Sequence, residues 1–315
     1  MELAVVIVSW NVRDLVLDTL KTLQADVETY GPETQTWVVD NASTDGTVEA
    51  IRSKFPQVHL IASDKNLGFA GGNNHALRAI GFDAPVSPRQ DLLPRAVFLL
   101  NPDTLVEAQA VRTLYDTLFA ADDIGLVGAR LTYGDGSFQH SAFGYPGIWQ
   151  TIIDLLPVPG RLIDSTLNGR YPRALYAGHE PFPVGHPLGA TMMLRREVIQ
   201  QVGLFDDQFF MYCEEVDWAM RIHRAGWRVL CVPTAHVVHL EGQSTVQIRP
   251  ESILNLWRSR YQLYRKHYSP FKVALIRGVV RLGMRRKIVQ TQQDTTLSDS
   301  QRAALIDAYR TVAAL

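Results

Sequence analysis

Residues 96–104 read AVFLLNPDT. A short, unbroken apolar run stops at Asn101-Pro102-Asp103-Thr104. Such a run reads as a strand covered on both faces, as in a parallel sheet. Proline cannot donate to a sheet ladder, so Pro102 ends the strand. Asp103 is then held at the carboxyl end of a core strand, where open α/β sheets bind ligands. A carboxylate there suits a hard divalent cation and, through it, a phosphate. The competing reading is local: Asp103 or Thr104 caps a helix expected at residues 106–120.

The surroundings support an α/β sheet. Short apolar strands are expected at residues 4–9, 36–39 and 58–61, separated by helical patterns at 12–25, 47–54 and 70–80. This alternation predicts a mostly parallel sheet with right-handed crossovers. Residues 83–94 are rich in proline and polar side chains and read as a surface loop, and 124–129 form an apolar piece. Residues 134–186 lose periodicity and read as an irregular insertion that shapes a pocket. A strand at 189–194, helices at 196–202 and 214–225, and a strand at 228–232 follow. The remainder is helical and basic.

Composition narrows the function classes. With 46% hydrophobic and 20% charged residues in 315, the chain is a globular enzyme rather than a disordered one. A net charge of -1 gives no global field for nucleic acid. Cys213 and Cys231 are too few for a disulfide framework or for a zinc site of their own. The opening MELAVVIVSWN lacks a basic start and a cleavage site, so it is expected to be the first strand and not a signal peptide. No stretch reaches the roughly 20 apolar residues that span a bilayer. The expected location is cytoplasmic. Residues 258–287 hold ten Lys and Arg and no acid, interleaved with Tyr261, Tyr264, Tyr268 and Phe271. That segment is either a solvated helix face or a surface for an anionic membrane, peripheral on its inner side.

Four further motifs carry chemistry. The first two strands end in Ser9-Trp10-Asn11 and in Asp40-Asn41, followed by Ala42-Ser43-Thr44-Asp45-Gly46. A carboxylate at a strand end accepts from ribose hydroxyls or a base N–H, while Asp45 equally suits a helix cap. Asn66-Leu67-Gly68-Phe69-Ala70-Gly71-Gly72-Asn73-Asn74 opens a helix with glycines that let backbone N–H groups approach a phosphate. It lacks the G-x-G-x-x-G spacing of a dinucleotide-binding fold. Glu214, Glu215 and Asp217 lie beside Phe209-Phe210-Met211-Tyr212. On a helix Glu214 and Asp217 share a face, and apolar neighbours would raise a carboxyl pKa, as a general base requires. The same acids also suit a helix N-terminus. His239, after His236, could complete a metal site with Asp103.

Taken in this order, the motifs resemble family 2 glycosyltransferases of the GT-A fold, and in particular the rhamnosyltransferase-like enzymes of bacterial surface polysaccharide synthesis. The resembling stretches are VVIVSWN (5–11), VVDNASTDGT (38–47), NLGFAGGNN (66–74), LLNPDT (99–104), GATMMLRRE (189–197) and GLFDDQFFMYCEEVDWAMRIHRAGW (203–227). The resemblance implies a GT-A fold with a mostly parallel central sheet flanked by helices over residues 1–245. Residues 1–130 would bind the nucleotide-sugar, 131–245 the acceptor, and 246–315 would be a helical basic extension. It places Asp40 on the base with Ser9 and Asn11. Asn66, Gly68 and Asn73 close around the donor. Asp103, beside Asn101, matches the last carboxylate of the DXD metal motif, and His239 joins the metal or the pyrophosphate. Glu215 stands where the family carries its general base, with Glu214 and Asp217 shaping that site.

Two departures from the family pattern matter: Asn101-Pro102-Asp103 has one carboxylate, and Glu214-Glu215 replaces Glu-Asp, so either glutamate qualifies as the base. The implied activity is inverting transfer of a sugar, rhamnose first, from dTDP-rhamnose or a UDP-sugar, with Mg²⁺ or Mn²⁺. The acceptor would be a hydroxyl of a glycan or polyprenyl-linked glycan. Two other classes compete: a nucleotidyltransferase, expected to carry glycines in the first strand–helix turn where this chain has Trp10-Asn11-Val12-Arg13, and a glycan-binding or scaffold protein without catalysis.

Overall fold

The computed structural model describes residues 1–82, 93–240 and 249–315. Most of the expected loop at 83–94, and the expected boundary at 245, lie outside those residues. The amino-terminal part alternates β1 (Leu3–Ser9), α1 (Arg13–Thr29), β2 (Thr34–Asp40), α2 (Thr47–Lys54), β3 (His59–Ala62), α3 (Gly68–Ile80) and β4 (Ala96–Leu100). Next come β5 (Thr104–Val106), α4 (Ala110–Leu118) and β6 (Ile124–Thr132). The expected irregular insertion holds β7 (Phe138–Gln139), β8 (Ala142–Phe143), α5 (Ile148–Leu155), α6 (Arg173–Tyr176), β9 (Phe182–Pro183) and β10 (His186–Pro187). Then follow β11 (Thr191–Arg195), α7 (Arg196–Val202), α8 (Glu214–Arg224) and β12 (Arg228–His239). The chain ends in α9 (Arg249–His267), α10 (Pro270–Gln293) and α11 (Asp299–Ala314).

The sheet runs β3-β2-β1-β4-β11-β6-β12-β5. The first four strands are parallel, with Val5 beside Thr36 and Phe98, and β11 enters antiparallel to β4 and β6. Both faces are covered, which explains the unbroken apolar strands. Leu3, Val5, Ile7, Phe98 and Leu100 pack towards α1 and α4. Val6, Val97 and Leu99 pack with the opposite layer, which includes Leu77 of α3 and Trp218 of α8.

One expectation fails beside the opening motif. Residues 104–106 are strand, not helix. The edge of β12 recruits them, with His239 beside Thr104 and Val237 beside Val106. The helix then starts at Ala110 because the Asp26 carboxylate of α1 accepts the Gln109 and Val111 N–H groups at 2.5 and 3.0 Å. A cap supplied by a distant helix leaves no local signal in sequence. Asp103 therefore caps nothing.

The carboxyl-terminal helices are built into the rest. Trp257, Tyr261 and Tyr264 of α9 join Leu155 of α5, Ile276, Val280 and Met284 of α10 and Val312 of α11 in one core. Leu263 of α9 closes a second core with Phe209, Cys213, Val216 and Met220 around α8.

Candidate active site

A cavity of about 460 Å³ opens at the carboxyl ends of β1 and β4, lined by residues of both the amino-terminal and carboxyl-terminal parts. The antiparallel β5–β12 pairing brings His239 to Asp103, with Nε2 3.4 Å from Oδ1. That Asp103 oxygen is buried without a hydrogen bond. Asn101 Nδ2 also lies 3.4 Å from His239 Nε2. On its other side His239 Nδ1 is 3.3 Å from Gln139 Oε1, which can only accept. This assigns the proton to Nδ1 and turns the Nε2 lone pair towards Asp103 and Asn101. Gln139 escaped the sequence reading, since nothing local ties a two-residue strand to a histidine a hundred positions on.

The acids stand on the opposite wall. Tyr212 and Cys213 take φ of 71° and 66° just before α8, a left-handed turn that side chains adopt only when the surroundings enforce it. The enforcement comes from α9: Ser259 Oγ donates to the Met211 carbonyl at 2.8 Å, and Cys213 is buried against Leu263. The turn presents Glu214 and Glu215 to the cavity. Burial raises the Glu214 carboxyl pKa well above its usual value, and the charge of Glu215 raises it further. Its Oε2 is buried without a partner. Burial also pushes Glu215 up, to about 7. The Glu215 stem passes over Gly189, where a Cβ would sit 3.8 Å from it. The next residue, Ala190, accepts the Asn101 N–H at 3.0 Å. One short loop thus joins the acid wall to the Asn101–Asp103 wall.

The expected nucleotide end is only partly as read. Ser9 pairs in register with Asp40 at the sheet edge of the cavity. Ser9 Oγ and Asp40 Oδ2 are buried with no hydrogen-bond partner, as is Asn41 Oδ1. These atoms fit a ligand that brings N–H and O–H donors. Ser9, Asn41 and Asn66 line the cavity, whereas Asp40 stands behind its wall.

Three expected residues serve structure instead. Asn11, with φ of 52°, accepts the Thr44 N–H at 2.8 Å and holds the 43–45 loop to β1. Asn73 donates to the Phe69 carbonyl inside α3. Asp217, expected to shape the site, turns away from it. It is buried against Arg221, Lys266 and His267 at 2.9, 2.8 and 2.7 Å. Burial alone would raise its carboxyl pKa, but Lys266, His267 and Arg221 together hold it below the usual value.

Gly68 lines the cavity, yet its N–H already donates to Asn66 Oδ1 and the next N–H, of Phe69, to the Phe210 carbonyl. The glycines here allow close packing: a Cβ at Gly68 would collide with Phe210, and one at Gly72 would press on Val8. Asp45 is a cap, accepting the Arg13 and Thr47 N–H groups at 2.9 and 3.2 Å. Helix α9 adds Glu251, Ser252 and Asn255 to the cavity wall, residues the sequence did not single out.

Comparison with known proteins agrees with this geometry. The family described as glycosyl transferase family 2 matches residues 4–203, and the chain belongs to that family. It is an α/β glycosyltransferase of GT-A type. A relative from Mycobacterium tuberculosis, an N-acetylglucosaminyl-diphospho-decaprenol L-rhamnosyltransferase, is 30% identical over 66% of this chain and 67% of its own. The low-salt glycan biosynthesis hexosyltransferase Agl10 of Haloferax volcanii is 27% identical over 72% of this chain and 62% of its own. Among solved structures, a mannosyltransferase from Pyrobaculum calidifontis in complex with GDP-Man and Mn²⁺ shares the fold. It covers 99% of this chain and 86% of its own, with TM-score 0.56 and 17% identity. Among the described residues no helix is long and apolar enough to cross a membrane.

Proposed function

We propose that this enzyme transfers a sugar, rhamnose first, from a nucleotide-diphosphate donor to a hydroxyl of a polyprenyl-linked glycan, with inversion. One observation carries the reading: a pair of acids with raised pKa faces Asp103, Asn101 and His239 across one cavity. The rhamnosyltransferase relative, whose name specifies a diphospho-decaprenol acceptor, supports the choice of sugar and lipid carrier.

The residues fit a divalent cation. Asp103 Oδ1 is a buried, unsatisfied carboxylate oxygen, and His239 Nε2 is oriented by Gln139. Two protein ligands leave room for phosphate oxygens and water, the habit of Mg²⁺ and Mn²⁺ at phosphate sites. Held by Asp103 and His239, the ion would neutralise charge on the departing diphosphate. Ser9, Asn41 and Asp40 would receive the donor's base and ribose at the other end. Glu215, at the cavity face beside Gly189, takes the proton of the acceptor hydroxyl. The acceptor oxygen bonds the anomeric carbon as that carbon's bond to the diphosphate breaks. A single displacement inverts the centre, so no protein nucleophile is required. Glu214, more deeply buried, stays protonated and keeps negative charge off Glu215's neighbour. Ser252 and Asn255 would meet the acceptor.

The test is a thermal-shift screen of dTDP-rhamnose and UDP-sugars with and without Mn²⁺, followed by transfer to a polyprenyl-diphosphate glycan. A ligand that binds only the folded state raises the melting temperature. Asp103→Asn should remove the Mn²⁺-dependent part of the dTDP-rhamnose shift while the unliganded melting temperature holds. A metal-dependent shift that survives the substitution would refute the metal assignment.

A further inference from the structure

Helix α10 leaves one face uncovered. Its inner face packs Ile276, Val280 and Met284 against α5, α9 and α11. The outer face shows Phe271, Leu275, Leu282 and Val289, exposed by 74%, 45%, 56% and 51%. At 3.6 residues per turn the four lie within about 40° of one another, in a stripe about 27 Å long. A helix face turned to water normally carries polar side chains. Here large apolar ones are bordered by Arg281 and Arg285 on one side and by Lys272 and Arg286 on the other. No acid occurs between Arg258 and Lys287. The adjoining α5, whose Leu155 packs on Gly283, exposes Trp149 by 60%.

We propose that this face of α10 docks on an anionic lipid bilayer. Apolar side chains would enter the headgroup–acyl boundary while the flanking guanidinium and ammonium groups meet lipid phosphates. The charge pattern disfavours a second copy of the chain on the same face. A two-fold contact through this stripe would set arginine borders against arginine borders. The docking follows from the surface alone; its use, to hold the enzyme where a lipid-linked acceptor resides, rests on the reading above.

The full-length protein is sedimented with vesicles of phosphatidylcholine, with and without phosphatidylglycerol, at low and high salt. The expected result is pelleting with anionic vesicles at low salt and release at high salt. The double variant Leu275→Glu, Leu282→Glu should bind about tenfold less while its melting temperature stays that of the wild type. Arg281→Gln with Arg285→Gln should weaken binding without altering the fold. Sugar transfer is assayed separately, so loss of docking and failure of the enzymatic reading are distinguishable. Absence of pelleting at low salt overturns the proposal, as does equal pelleting by the Glu variant. A concentration-dependent dimer abolished by the Glu variant, without vesicle binding, would assign the face to a second copy instead.

Discussion

At the scale of single residues, the glutamate pair gives the most direct test. Glu215→Gln should lower kcat by about 10²–10⁴-fold, the usual worth of a general base, and leave donor binding intact. Since burial pushes Glu215 up to about 7, wild-type kcat/KM should climb as pH rises through about 7 and then level. The same shift acts on stability. Between 4.5 and about 7 the folded state keeps a proton that the unfolded chain gives up, so this group's contribution declines as pH rises across that window. Glu215→Gln should therefore raise the melting temperature near pH 8 and raise it much less near pH 5. An active Glu215→Gln beside a dead Glu214→Gln would move the base to Glu214. Both acids, and Asp103, were legible in the sequence because each sits at a local landmark: a strand stopped by proline, or a helix start after an aromatic run. Gln139 and Asp217 were not. The role of Gln139 depends on the register of β12, and that of Asp217 on which neighbour covers its side of α8.

At the scale of elements, the cavity depends on two close approaches. Gly68 begins α3 with φ of 71°, and a Cβ there would meet Phe210. Gly68→Ala should cost more than about 1 kcal/mol in urea unfolding and weaken donor binding, because α3 must move away from the acid wall. On the other side of that wall α8 is moored to α9 through Asp217. Asp217→Ala leaves Arg221 and His267 without their buried anion and should cost about 3 kcal/mol, measured by the same unfolding. An unchanged midpoint would show that the apolar contacts of Leu263 alone hold the two helices together. The strands and most helices were legible because both faces of the sheet are buried and the apolar pattern follows. β5 and the start of α4 were not, since one is decided by a free strand edge and the other by a carboxylate on α1.

At the scale of the molecule, the basic composition of residues 258–287 suggested an extension, whereas the packing makes it part of the catalytic body. Removing residues 249–315 would uncover Phe209, Cys213, Val216 and Met220, and would strip Asp217 of two of its three cationic partners. It would also take Ser252 and Asn255 from the cavity and the Ser259 hydroxyl from the strained turn that presents Glu214 and Glu215. A chain ending at residue 248 should accordingly fail to give folded, donor-binding protein. In the intact chain, native-state hydrogen exchange should find the amides of α8 and of the Trp257–Tyr264 part of α9 opening with the same free energy as those of β1 and β4. The physical reason is shared burial: one apolar cluster contains residues of both helices, so neither can leave without exposing the other. If α9 opened at a distinctly lower free energy while α8 remained protected, the extension would be a separable cover, and the left-handed turn at Tyr212 and Cys213 would need another source of support.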